Sequence, residues 1–152
     1  MTTKIIKLTG MIAACSFLFS FTAPGPGGEG FEIYLNSKLV LQQFGNNMNE
    51  VKTLKLDQSN QNDELSVRYY HCGKVGKNRT ISVTDAKNNV LKQWKFTDVS
   101  LASSLMTCNV KDILALQKGS AKTIKLFYAS TELPRGRQLA ALVTAPKAVA
   151  KL

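Results

Sequence analysis

Apolar and polar residues alternate with period two along most of this chain, the pattern of half-buried β-strands. Phe31-Glu-Ile-Tyr-Leu35 is the first such run, Asn36-Ser37 is a turn pair, and Lys38-Leu-Val-Leu-Gln-Gln-Phe44 resumes the pattern. Two turn residues between two such runs predict a hairpin, because asparagine tolerates the positive φ that a tight turn needs. Val51-Lys-Thr-Leu-Lys-Leu56 predicts a third strand with Leu54 and Leu56 on one face, and the polar run Asp57 to Asp63 predicts a surface loop. In Glu64-Leu-Ser-Val-Arg-Tyr-Tyr70, residues Leu65, Val67 and Tyr69 share one face, while Ser66, Arg68 and Tyr70 share the other. A regular continuation would turn His71 to the core and Cys72 away from it. If Cys72 is bridged inside the fold, the strand must bulge or end near Tyr70.

The second half keeps the same rhythm. Arg79 to Thr84 predicts a strand with Ile81 and Val83 inward, Asp85 to Asn89 a turn, and Val90 to Phe96 a return strand with Trp94 and Phe96 in the core. Leu105 to Val110 is short and extended. Lys111 to Lys118 alone has helical spacing, with Ile113, Leu114 and Leu116 on one side and Gly119 as a stop. Ala121 to Ala129 predicts a strand with Ile124, Leu126 and Tyr128 on one face, Leu133 to Arg137 a turn, and Gln138 to Val143 a last short strand. About eight short strands, polar turns between them and one short helix near 111–118 predict an all-β fold. The expected architecture is an antiparallel two-sheet β-sandwich, immunoglobulin-like; a closed barrel is the competing arrangement.

The ends change the picture from any domain to an exported one. Lys4 and Lys7 precede an apolar run from Leu8 to Phe21, and Thr22-Ala-Pro-Gly-Pro-Gly-Gly28 follows, the layout of a secretory signal peptide over 1–23. The run is too short for a spanning helix, which needs about 20 apolar residues. Residues 24–30 then read as a Gly/Pro linker, 31–143 as one domain and 144–152 as a frayed tail of alanine, lysine and proline. No transmembrane helix is expected in the mature chain. Ile12-Ala-Ala-Cys15 resembles a lipoprotein cleavage motif, which makes a lipid tether through Cys15 the alternative. Against it, the apolar run continues beyond the cysteine, where a lipoprotein carries a polar tether.

Charge narrows the choice of partners. The chain has 20 Lys and Arg against 10 Asp and Glu, and removal of Lys4 and Lys7 leaves a mature charge of about +8. That sign concentrates anionic partners, although net charge alone confers no specificity. The cations gather in Gly73-Lys-Val-Gly-Lys-Asn-Arg79, where Lys74, Lys77 and Arg79 flank two glycines, and in Arg135 and Arg137 around Gly136. A glycine-bearing turn can present backbone N–H groups to an anion. No P-loop is formed, because no Gly-Lys-Ser or Gly-Lys-Thr follows. Of the aromatics, Tyr70, Tyr34 and Phe127 fall on outward phases and would form a glycan-stacking platform if one sheet carried all three. Nucleic acid is disfavoured as a partner, because its binding needs aromatics interleaved with the basic residues on one exposed face.

Cys72 and Cys108 remain as an even pair in an oxidising compartment, so a disulfide is expected, with two buried thiols as the other possibility. The bridge would close a loop of about 36 residues and contribute roughly 3 to 4 kcal/mol in the chain-entropy picture. His71 is the only histidine, and its sequence neighbour Cys72 does not make it a dyad, because neighbours on a strand point to opposite faces. Metal ligation finds no paired spacing for zinc. The loop 57–63 lacks the glycine and the closing glutamate of a calcium loop. No acid pair or cofactor motif stands out, so neither metal nor cofactor is assigned. These features predict a non-enzymatic exported binding or structural domain, periplasmic or extracellular, that engages a partner protein or an anionic glycan or envelope polymer through its basic loop. A small secreted enzyme with a loop-built site and a lipoprotein accessory subunit are the alternatives.

Overall fold

The computed structural model describes residues 28–99, 104–117 and 123–144. The predicted leader with Cys15, the helix stop Gly119 and the tail beyond 144 lie outside the described residues. Among the described residues, nine strands and one α-helix follow in the order β1 (Gly30–Leu35), β2 (Lys38–Phe44), β3 (Lys52–Leu56), β4 (Glu64–Tyr70), β5 (Thr80–Thr84), β6 (Val90–Lys95), β7 (Met106–Asn109), α1 (Val110–Gln117), β8 (Thr123–Ala129) and β9 (Arg137–Thr144). They form two sheets, β2-β1-β4-β7 and β3-β9-β8-β5-β6. The positions of β1-β4-β7 and β9-β8-β5-β6 correspond to A-B-E and G-F-C-C′ of an immunoglobulin-type sandwich, with β2 added at an edge. Pairing is antiparallel except between β3 and β9, which run parallel with Leu54 opposite Leu142. The helix is not long or apolar enough to cross a membrane.

The period-two reading places the core. Ile33, Leu65, Val67, Ile81, Val83, Ile124, Leu126, Tyr128 and Leu142 are fully buried, and Leu54, Leu56 and Tyr69 are buried beside them. Burying a side chain of this size contributes roughly 1.5 to 3 kcal/mol, so the inward stripe is the main stabilising term. At the first hairpin, Asn36 and Ser37 both take positive φ (48° and 66°), as a two-residue primed turn requires. Ile113 and Leu114 of α1 are buried and Leu116 packs against the core from a half-exposed position. Asp112, in the first turn, pairs with Lys92 of β6 at 2.8 Å, a placement the helix dipole favours.

Two expectations change at the edges. Trp94 pairs with Ile81 across β5 and β6 and packs against the core, yet it stays half-buried, as does Phe96. The facing sheet ends at β7, only four residues long, so little covers the outer strand of the larger sheet. The Lys92 ammonium lies 5.2 Å from the Trp94 ring centroid. Two of the four outer strands, β2 and β6, also carry a register shift that leaves Val40 and Leu91 unpaired and exposed. A bulge of this kind roughens an edge that could otherwise pair with another chain.

The expected disulfide is absent. Cys72 and Cys108 are free thiols, the first exposed and the second buried. Cys108 is the register partner of Leu65 near the start of β4, whereas Cys72 lies just past its far end. The six residues from Leu65 to His71 span roughly 20 Å at strand rise, and a bridge needs Cα atoms within about 7 Å. Strand β4 does end at Tyr70, but a tight turn and not a bridge stops it. Cys72 (φ 48°) and Gly73 (φ 83°) are its central residues, closed by the Lys74 N–H donating to the His71 carbonyl at 3.0 Å. Burial pushes the Cys108 thiol up to about 12 and makes it unreactive. A thiol reagent applied to the folded protein is therefore expected to label Cys72 rapidly and Cys108 only after denaturation; protection of Cys72, or a mass two protons lower under non-reducing conditions, would contradict this arrangement.

Candidate functional site at the loop end of the sandwich

One end of the sandwich gathers His71, Cys72 and the five candidate cations that the sequence singles out. Strands β4, β6 and β8 finish there, β5 and β9 begin there, and the segments 71–79 and 130–136 join them. Under these loops the inward aromatic positions of both sheets meet. Tyr69 of β4 stacks on Tyr128 of β8 with centroids 4.2 Å apart and planes 14° from parallel. The Phe31 ring lies nearly parallel to Tyr69 at 6.5 Å, and the His71 ring is tilted against Tyr69 at 4.7 Å.

Each polar tip in this stack has a partner. The Tyr69 hydroxyl donates to Glu29 Oε1 and accepts from Arg137 Nε at 3.0 Å, and Arg137 Nη2 reaches Glu29 Oε2 at 3.2 Å. The Tyr128 hydroxyl lies 2.8 Å from His71 Nε2, with Ser130 Oγ 3.3 Å from the same nitrogen. Burial, followed by the bond to Glu29, pushes the Tyr69 phenol far above its ordinary range. Burial likewise raises Tyr128 and lowers the His71 imidazole, although the carboxylates of Glu132 and Glu29 work against that lowering. Gly76 fits against the pair because it has no side chain: a Cβ there would lie 2.5 Å from Tyr128 Oη and 2.8 Å from His71 Nε2.

A histidine beside a serine invites a nucleophilic reading, and the geometry argues against it. Ser130 is buried, and its Oγ accepts the Leu133 N–H at 3.2 Å. Its place is inside a turn, facing a nitrogen already bonded to a phenol, whereas an activated nucleophile needs an open approach for substrate. The arrangement locks two loops together.

Further bonds complete that lock. Thr131 N–H donates to the Lys77 carbonyl at 2.8 Å, Lys77 N–H to Glu132 Oε2 at 2.9 Å, and Asn78 Nδ2 to Thr131 Oγ1 at 3.0 Å. Asn78 N–H donates to Asp98 Oδ1 at 2.7 Å. The backbone donors that sequence reasoning offers to an external anion are thus partly used by the protein's own carboxylates. Of the five candidate cations, Lys74, Lys77 and Arg135 are exposed on the two turns. Arg137 is held by Glu29 and Tyr69. Arg79 is turned inward, 6% exposed, and donates to the carbonyls of Thr97 at 3.0 Å and Ser104 at 3.3 Å.

The three outward aromatics do not share a sheet. Tyr34 and Tyr70 stand on β1 and β4 and both donate to Glu32 Oε2, at 2.7 and 2.9 Å. Arg68 Nη1 joins them at 3.2 Å from the same oxygen, with its guanidinium 5.5 Å from the Tyr34 ring centroid. Phe44 leans on Tyr70 at 5.5 Å and lies over Gly30, where a Cβ would come within 2.0 Å of its ring. Phe127 belongs to β8 in the other sheet, so no platform of three forms. Among the described residues, no cluster of three His, Cys, Asp or Glu could hold a metal. In the 57–63 loop Asp57 accepts from Ser59 and Asp63 from Asn36 and Asn60, so both carboxylates serve the turn.

Glu29, Ser130 and Glu132 carry no signal in the sequence, and Asp98 reads there as a turn acid alone, because such residues in turns need no further reason. Tyr128 carries a readable signal, since a phenol on an inward phase must find a hydrogen-bond partner. No protein-family model matches this chain, and no curated protein matches it either.

Two expectations test the lock. Folding favours the neutral His71, so the unfolded chain takes up its proton first as pH falls through about 6.5. The His71 contribution is complete above that value and is lost as pH falls toward the lower folded value. Urea unfolding between about pH 7.5 and 5.5 should show this decline, and His71→Gln should flatten it; an unchanged slope would remove His71 from the lock. Gly76→Ala should cost roughly 1 to 3 kcal/mol by forcing the His71–Tyr128 contact apart, measured by the same denaturation; a neutral result would mean that the turn can shift freely.

Proposed function

We propose that this protein is a non-enzymatic, exported binding domain that engages an anionic envelope polymer through the paired turns 71–79 and 130–136. The observation that carries the reading is the fixing of these turns on each other: Lys74, Lys77 and Arg135 are exposed on a surface held by Thr131, Asn78 and Glu132, with Tyr128 and His71 beneath it. A surface already ordered before contact loses little conformational freedom on binding, so weak charge contacts are not spent on ordering loops. The excess of basic residues adds a long-range attraction for a polyanion that falls with ionic strength. Loops at one end of a sandwich are also where this architecture places recognition in antibody variable domains.

Export rests on the leader-like segment 1–23, whose charged start, apolar run and small-residue segment have the layout of a secretory signal peptide. The competing occupant of the same surface is an acidic partner protein.

Chromatography on heparin and on an anionic polysaccharide at low salt separates these cases. The wild-type chain should be retained and elute as salt rises. The triple variant Lys74→Ala, Lys77→Ala, Arg135→Ala should bind roughly tenfold more weakly, since three exposed contacts of about 0.5 kcal/mol each sum to about 1.5 kcal/mol. Failure of the wild-type protein to be retained, or an identical elution of the triple variant, would overturn the polymer reading.

A further inference from the structure

The outward face of the smaller sheet carries aromatic and polar side chains that neither the core nor the paired turns use. Alternation along β1, β2 and β4 puts Glu32, Phe44, Arg68 and Tyr70 on this face, because Phe31, Gln43, Val67 and Tyr69 beside them are buried. Phe44 and Tyr70 are the register partners of Gly30, one on each side of it. Gly30 has no side chain to separate them, so their rings meet at 5.5 Å, and a Cβ at Gly30 would collide with Phe44. The Tyr70 hydroxyl is tied back along the sheet to Glu32 Oε2 at 2.9 Å. A ring held at its tip in this way lies along the sheet and does not stand off it. Both rings are half-buried, so two adjoining aromatic surfaces remain part-exposed in fixed positions.

Beside the rings lies a polar strip whose two charges cancel. Glu32 Oε2 takes Arg68 Nη1 at 3.2 Å together with the hydroxyls of Tyr34 and Tyr70. Gln42, the register partner of Glu32 on the outer strand β2, is exposed on the same side, since its neighbour Gln43 is buried. One half of the face thus offers contact for C–H groups, and the other half offers donors and acceptors without net charge. A pyranose ring has the same division, a C–H face and a rim of hydroxyls. A bare phosphate or sulfate gains little here, because Arg68 is already neutralised by Glu32. The face also runs into the binding end: Tyr70 is the last residue of β4, and Lys74 bridges back to His71 directly after it.

We infer that the outward face of β2, β1 and β4 is a subsite for a neutral pyranose unit, stacked on Phe44 and Tyr70 with its hydroxyls toward Gln42, Glu32 and Arg68. The inference rests on the reading of the paired turns as the polymer-binding end and names the polymer's class: a polysaccharide that carries neutral sugars among its charged ones.

The test follows backbone amide shifts by NMR while a hyaluronate decasaccharide, inorganic polyphosphate or cellohexaose is titrated into the protein. Hyaluronate should shift the amides of residues 72–79 together with those of Glu32, Gln42, Phe44 and Tyr70, in a saturable way. Polyphosphate should move only the turns, and cellohexaose only the face. Gln42→Ala, which alters an exposed side chain, should weaken both sugars roughly threefold, and Tyr70→Leu roughly threefold to tenfold, with polyphosphate unchanged. If Tyr70→Leu does not fold, Gln42→Ala and the shift map decide alone. Face amides that stay still with both sugars, or that respond equally to polyphosphate, would overturn the subsite, as would unchanged sugar affinities in the variants. Concentration-dependent shifts of these amides in the sugar-free protein would overturn it as well, since a second copy would then cover the face. Turns that respond to both polyanions while the face stays still would sink the subsite and leave the polymer reading standing. The converse, face shifts with cellohexaose in a protein whose turns respond to neither polyanion, would support the subsite and remove the polymer reading.

Discussion

The loop end depends on two phenols that must be buried and must also be bonded. Tyr69 and Tyr128 come from facing sheets and stack at 4.2 Å, a contact worth roughly 0.5 to 1.5 kcal/mol beyond the area it buries. Their hydroxyls, left without partners, would cost about 1 to 3 kcal/mol each. The partners are Glu29 and Arg137 for one ring, and His71 for the other. Those residues lie before β1, at the start of β9 and just past β4. Satisfying two buried groups therefore draws distant parts of the chain onto one end of the sandwich.

That drawing-together sorts the basic residues. Arg137 and Arg79 have planar guanidinium groups with several fixed donors, and both are used inside, one on a carboxylate and a phenol, the other on two carbonyls. Lys74 and Lys77 have flexible stems and remain at the surface with Arg135. Sequence charge counts all five alike, whereas the fold divides them into structural cations and available ones. The Nε of Arg79, like the hydroxyl of Thr84, is buried without a hydrogen-bond partner.

The sandwich was legible because period two is a local property: Leu65, Val67 and Tyr69, or Ile124, Leu126 and Tyr128, face inward wherever their strands are placed. Turn chemistry was legible for the same reason, as at Asn36 and Ser37. The cysteine pairing was not, because an even count says nothing of distance, and Cys72 and Cys108 lie toward opposite ends of β4. Nor was the half-exposure of Trp94, which reflects how short the facing strand β7 is.

By itself, then, the sequence determined the all-β class, the inward stripes, the turn positions and the basic balance, all of which follow from neighbours along the chain. Only the tertiary structure decided that 71–79 and 130–136 are tied together, that Glu132 takes the Lys77 N–H, that Tyr34 and Tyr70 share Glu32 while Phe127 lies on the other sheet, and that Arg79 turns inward onto two carbonyls. These are contacts between residues tens of positions apart. Their energies depend on which strands are adjacent, a relation that no periodicity within one segment encodes.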